Sequence, residues 1–190
     1  TILNDSTGII NSSTLNAVAM TGLNGASIEN KGVINLTGDG SIGMYVKDAD
    51  GLSSNSVNVN EKSIAYYADG ASGEIKITGT SSIGKNSTLL AAANGGKIDY
   101  QSGAINLGDE RYGALIDGAA SVIDFGGNDI TVGEKSVAVM LKNGGLLNNT
   151  LHDINVGKAG VGIYLADATN VISPASRTIN LAENATGIYG

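Results

Sequence analysis

The sequence has no cysteine and no tryptophan, and one residue each of proline, histidine and phenylalanine among 190. Without cysteine there is neither a disulfide nor a thiolate metal ligand. The one histidine, His152, excludes a multi-histidine metal centre; it stands beside Asp153 ahead of a strand, where exposure and no role are expected. Charged residues make up 15% of the chain, the net charge is −7, and the eleven Lys and Arg are scattered singly, which leaves no basic stripe for a nucleic-acid backbone. No apolar run approaches the roughly 18 to 20 residues of a membrane-spanning helix, and no basic segment followed by an apolar stretch opens the chain. Any export signal is expected to lie outside this sequence.

What the chain does have is 28 glycines, 42% apolar residues and a repeat. A short apolar block with a small residue inside it recurs as Ala17-Val18-Ala19-Met20, Ile42-Gly43-Met44-Tyr45, Ile64-Ala65-Tyr66-Tyr67, Thr88-Leu89-Leu90-Ala91, Tyr112-Gly113-Ala114-Leu115, Val137-Ala138-Val139-Met140, Val161-Gly162-Ile163-Tyr164 and Thr186-Gly187-Ile188-Tyr189, in steps of 22 to 25 residues. A second series has the form apolar, polar, apolar: Val57-Asn58-Val59, Ser81-Ser82-Ile83, Ile105-Asn106-Leu107, Ile130-Thr131-Val132, Ile154-Asn155-Val156 and Ile179-Asn180-Leu181. A looser third set includes Ile28, Ile75-Lys76-Ile77, Ile98-Asp99-Tyr100, Ile123-Asp124-Phe125 and Val171-Ile172.

Each unit thus holds three short alternating segments separated by Gly, Asn and Asp, and no window has the 3.6-residue period of a helix. Three strands of about 3 to 5 residues cannot close a domain, but stacked units pair each strand with its equivalent about 4.8 Å away. The expected fold is all-β: a right-handed single-stranded parallel β-helix of about eight coils of ~24 residues, three short strands per coil, with the hand set by the crossover rule. Residues 1–190 form a single segment of it. Alternation points Ile154 and Val156 inward and sends Asn58, Ser82, Asn106, Thr131, Asn155 and Asn180 outward as a polar column. Asp48, Asp69, Asn94, Asp117, Asn143 and Asp167 fall in turns, where a structural role is expected.

The Gly-Ile-Tyr and Ser-Ile-Gly-Met-Tyr blocks, alternating with Ile-Asn-Leu or Ile-Asn-Val and Gly-rich turns, resemble the passenger domains of large bacterial type V autotransporter adhesins over nearly the whole chain. The resemblance implies a non-catalytic cell-surface or secreted segment, anchored in an outer membrane through a region not in this sequence. Its implied partners are host or bacterial cell-surface proteins or glycans, and self-association between rods is open. Ending inside a block at Tyr189-Gly190, the chain is expected to be a fragment of a longer passenger.

No catalytic residue, cofactor or metal is expected. Gly79-Thr80-Ser81-Ser82-Ile83-Gly84-Lys85 imitates the opening of a phosphate-binding loop, but Asn86 stands where Ser or Thr would hold magnesium, and no helix follows. Asp48-Ala49-Asp50-Gly51 resembles half a calcium loop, yet Val59 falls where a bidentate Glu belongs. Asp99 and Asp124 occupy equivalent places in adjacent coils, about 5 Å apart, as in retaining glycosidases. They carry the alternative reading, a polysaccharide-active β-helix enzyme or tailspike-like glycan-binding segment. With Ile42, Met44 and Val46 facing the core, Gly43 and Tyr45 face out, and Tyr45, Tyr67, Ala91, Leu115, Met140, Tyr164 and Tyr189 form an apolar partner-binding strip. The sequence leaves open the other placement, with the tyrosines inward or under a loop.

Overall fold

The computed structural model describes residues 1–190, which form 24 strands and no helix. All pair in parallel with the equivalent segment one coil on, as in Ile130↔Ile154 and Met140↔Tyr164, giving a β-solenoid of eight coils. No helix is long and apolar enough to cross a membrane.

Three strand columns run along the rod. The longest strands are Val18–Leu23, Ile42–Lys47, Ile64–Asp69, Thr88–Ala93, Tyr112–Asp117, Val137–Lys142, Val161–Leu165 and Thr186–Tyr189, and they make one unbroken eight-stranded sheet. A second column contains Ile9–Ser12, Val33–Leu36, Val57–Val59 and Ser81–Ile83, lapses, and resumes as Ile105–Leu107, Ile130–Val132, Ile154–Val156 and Ile179–Leu181. The third runs through Ile2–Asn4, Ser27–Asn30, Asp50–Ser53, Glu74–Ile77, Lys97–Tyr100 and Val122–Asp124, lapses, and resumes as Leu146–Leu147 and Val171–Ile172. Side chains take over at both lapses. Between coils four and five, Arg111 Nε donates to the Ile83 carbonyl at 2.8 Å and Ser102 Oγ to that of Gly79 at 2.6 Å. Between coils six and seven, Asn148 Nδ2 donates to the Ile123 carbonyl at 3.1 Å, and Thr150 Oγ1 accepts the Phe125 N–H at 2.9 Å.

Inward residues of all three columns merge into one apolar cluster running from Met20 to Ile163. The second column follows the expected alternation: Ile154 and Val156 are buried, while Asn155 faces out and donates to Thr131 Oγ1 at 3.2 Å. That polar column also reaches back to two residues the sequence reading did not include. Asn35 Nδ2 donates to Asn11 Oδ1 at 3.1 Å, and Asn58 Nδ2 to Asn35 Oδ1 at 2.9 Å.

A serine precedes the long strand in four coils and is buried each time. Ser41, Ser63 and Ser87 Oγ accept the N–H of Ala17, Ser41 and Ser63 at 3.2, 3.0 and 3.0 Å, and Ser136 Oγ accepts that of Arg111 at 3.0 Å. Each hydroxyl donates in turn to a nearby carbonyl, as Ser87 does to Asn60 at 2.7 Å, so both lone pair and proton are satisfied. Two residues before these strands the chain turns through the left-handed region, mostly without glycine: Asn16, Lys62, Asn86, Glu110, Lys135, Ala159 and Asn184 have φ of 52° to 58°. Ladder bonds hold the strained corner, as where Lys62 N–H reaches the Lys85 carbonyl at 2.9 Å.

Two expectations need correction. Thr21, not Met20, pairs with Tyr45, so the first block is shifted by one residue and Met20 pairs inward with Met44. The long strand also does not alternate throughout. Ile42 lies on the outer side, half-buried, and Gly43 points into the core: a Cβ there would stand 2.4 Å from Val57 Cγ1 and 2.6 Å from the Ala65 carbonyl oxygen. At Gly162 a Cβ would meet the Gly187 carbonyl oxygen at 2.6 Å. The strand bends here so that its second and third residues both face inward, as in Ala65 with Tyr66 and Ala138 with Val139, all fully buried. The inside of this bend has room only for small residues in most coils, hence the glycine or alanine at this place in every block but the fourth, which has Leu89.

Candidate binding face

Beyond the bend the alternation resumes. Met44 and Val46 are buried, Tyr45 faces outward, and the same holds one coil after another. The outer column is Thr21, Tyr45, Tyr67, Ala91, Leu115, Met140, Tyr164 and Tyr189, in continuous register. Tyr45, Tyr67, Leu115, Met140 and Tyr164 are half-buried against one another, Ala91 is covered, and Tyr189 is 54% exposed. Rather than lying under a loop or inside the core, the tyrosines of this column stand on the sheet surface.

Parallel to it, three residues earlier on each strand, runs a second outer column that the sequence reading assigned to the core or overlooked: Val18, Ile42, Ile64, Thr88, Tyr112, Val137, Val161 and Thr186. Neither column contains a charged residue. Charges begin only at the strand ends, with Lys47, Asp69, Asp117 and Lys142. Between the columns, Thr88, Tyr112, Ala114, Leu115 and Met140 line a hollow of about 200 Å³.

The aromatic rings stack in two pairs. Tyr45 and Tyr67 have centroids 5.2 Å apart and tilted, and Tyr164 and Tyr189 lie 5.3 Å apart and nearly parallel, contacts that add about 0.5–1.5 kcal/mol beyond area. Tyr45 Oη donates to Asp69 Oδ2 at 3.0 Å, and Asn94 Nδ2 to Asp69 Oδ1 at 2.7 Å. Desolvation, then the bond to Asp69, pushes the Tyr45 phenol up to about 12, and burial raises that of Tyr67. Asp69 and Asp117, expected in turns, are instead the last residues of their strands, and at this edge Asp69 anchors the ring. Asp117 likewise accepts Asn143 Nδ2 at 2.6 Å, and Asp167 accepts the Asn143 N–H at 2.7 Å.

The remaining candidates are placed as follows. Asp99 and Asp124 pair directly in the third column. Asp99 Oδ1 accepts Gln101 Nε2 at 2.5 Å and its Oδ2 lies 3.8 Å from Lys76 Nζ, while Asp124 Oδ1 caps the Gly126 N–H at 2.8 Å. Lys85 extends to Glu110 at 3.0 Å, and Asp48 turns the chain at φ 48° and accepts the Ser72 N–H at 3.2 Å. His152 is exposed as expected, but it has a neighbour that sequence distance concealed. Its Nδ1 lies 2.7 Å from Asp129 Oδ1 and 3.8 Å from Asp153 Oδ2, and the ligand atoms of all three groups fall within 4.8 Å of one another. The bond to Asp129 raises the imidazole pKa, and the Asp153 N–H chiefly lowers that of the Asp129 carboxyl.

These features define a parallel β-solenoid with one long apolar outer face. Comparison with protein-family models, with curated proteins and with solved structures gives no match.

Proposed function

We propose that the chain is a non-catalytic adhesive segment of a bacterial cell-surface protein of the autotransporter passenger kind, a rigid rod whose long sheet meets proteins or glycans on host or bacterial cells. The observation that carries this reading is the uncharged outer face of that sheet, two columns wide and eight coils long. An apolar surface that extends over a whole element and is rimmed by charge is the usual mark of an interaction site. The resemblance in block pattern to autotransporter passengers supplies the surface location and the secretion route.

The test is binding of the fluorescently labelled segment to cultured host cells and to bacteria, compared with a Tyr45→Ser, Tyr67→Ser, Tyr164→Ser variant and an Asn106→Ala, Asn155→Ala variant, each checked for unchanged circular dichroism. Binding that falls at least tenfold in the first and persists in the second supports the reading. Equal binding by all three removes the face from consideration, and release of sugars from a polysaccharide panel would put the enzymatic alternative in its place.

A further inference from the structure

We propose that Asp129, His152 and Asp153 form a binding site for a first-row divalent transition metal ion, typified by Zn²⁺, that staples coil six to coil seven. Carboxylate and imidazole together suit this class of ion, and in tetrahedral geometry bonds of about 2.0–2.1 Å put donor atoms roughly 3.3 Å apart. Separations of 2.7 and 3.8 Å from the imidazole nitrogen to the two carboxylates bracket that value.

The solenoid itself holds the donors. Pairing of Ile130 with Ile154 sets Asp129 beside Asp153, and the His152 N–H is tied to the Asn128 carbonyl at 3.0 Å. Each carboxylate has one oxygen clamped by a backbone N–H, Asp129 Oδ1 by Asp153 at 3.0 Å and Asp153 Oδ1 by Thr178 at 2.7 Å. Such outer bonds orient ligating carboxylates: Asp153 Oδ2 is left free to bind, and Asp129 Oδ1 offers the ion its second lone pair beside the one that accepts the Asp153 N–H. No Lys or Arg pairs with either acid, so His152 is their only ion-pair partner. A metal ion displaces the proton held between Asp129 and the ring, which leaves to solvent or moves to Nε2; the ion neutralises both acids and takes water at its remaining positions on the exposed side.

The location gives the site a purpose. It bridges the junction at which the third strand column lapses, at the end of the irregular stretch from Asn148 to Asp153. A ligand that binds only the folded stack stabilises it by mass action, and this one ties the two coils on the side opposite the unbroken sheet's continuous ladder.

Because His152 is the only histidine, ¹⁵N-resolved NMR of the imidazole reads the site without overlap. On adding ZnCl₂ to the metal-free protein, the ring resonances should shift and saturate at one ion per chain, and amide exchange across residues 148–154 should slow. Asp129→Asn keeps the acceptor for the Asp153 N–H while removing a charge; with Asp153 and the fold intact it should weaken zinc binding at least tenfold, and His152→Ala should abolish it. Ring resonances unmoved by millimolar zinc, or zinc affinity unchanged in His152→Ala, would overturn the proposal.

Discussion

The two halves of the rod fill the same interior differently. In the first four coils a polar string runs through the core: Asn4 Nδ2 donates to Asn30 Oδ1 at 2.8 Å, Asn30 Nδ2 to Ser53 Oγ at 3.5 Å, and the Tyr66 hydroxyl lies 3.2 Å from Ser53 Oγ and 2.9 Å from Ser81 Oγ. Asn30, Ser53 and Tyr66 are fully buried. From coil six onward the interior is Ile123, Phe125, Ile130, Leu147, Leu151 and Ile154, without such a string. Stacked coils make the first solution workable: Asn4, Asn30 and Ser53 are register partners one coil apart, and Tyr66 closes the string on Ser53 of its own coil and Ser81 of the next. An isolated amide in the same place would cost about 1–3 kcal/mol. The second solution needs shape instead, and relies on one large ring.

Breaking this contrast should have unequal effects. Phe125→Ala leaves a cavity that neighbours on fixed ladders cannot fill, and should lower stability by about 3–5 kcal/mol; Tyr66→Phe removes only the central hydroxyl and should cost about 1–3 kcal/mol. Denaturant midpoints of the two variants rank them, and an equal or reversed order would show that the polar string, not the ring, dominates.

Alkali should act on the tyrosines concentrated in coils two and three. Phenol values at Tyr45, Tyr66 and Tyr67 are raised by burial, so their contribution is complete below the unfolded phenol value of about 10 and is lost as pH rises through the folded values. For Tyr45 that upper limit is about 12. The denaturant midpoint should therefore fall between pH 10 and 12, and fall less in Tyr45→Phe; a midpoint flat across that range would contradict the burial of these rings. The smallest effect belongs to Asp99→Ala and Asp124→Ala. Both side chains sit at the surface with local partners, and each change should stay within about 0.5 kcal/mol. A larger loss in either would give the pair a role in holding coils five and six together.

Coil number, period and strand columns were legible because one spacing repeats eight times and each column has its own alternation. Facing was legible where alternation is unbroken, as at Ile154-Asn155-Val156, and illegible at Ile42-Gly43-Met44, where a bend puts two successive residues inside. Ser41, Ser63, Ser87 and Ser136 recur in front of their blocks, but small polar residues are common throughout the turns, and only the coil-to-coil bonds distinguish these four as buried. Asn35 stands in a full match to the second motif, Ile34-Asn35-Leu36, in register with Val57-Asn58-Val59, and was legible by the same spacing. The strip from Tyr45 to Tyr189 could be placed by register alone, but its second column depends on the bend. Asp129 and His152 lie 23 residues apart, and only the stacked coils make them neighbours.

The two lapsed columns bear on mechanics. A rod pulled along its axis is loaded coil by coil, and every junction but two is carried by three backbone ladders. Between coils four and five, and between six and seven, one of the three is replaced by side-chain bonds from Arg111 and Ser102, and from Asn148 and Thr150. Under tension these are the yield points, so the molecule should part into segments of four, two and two coils rather than unravel from an end.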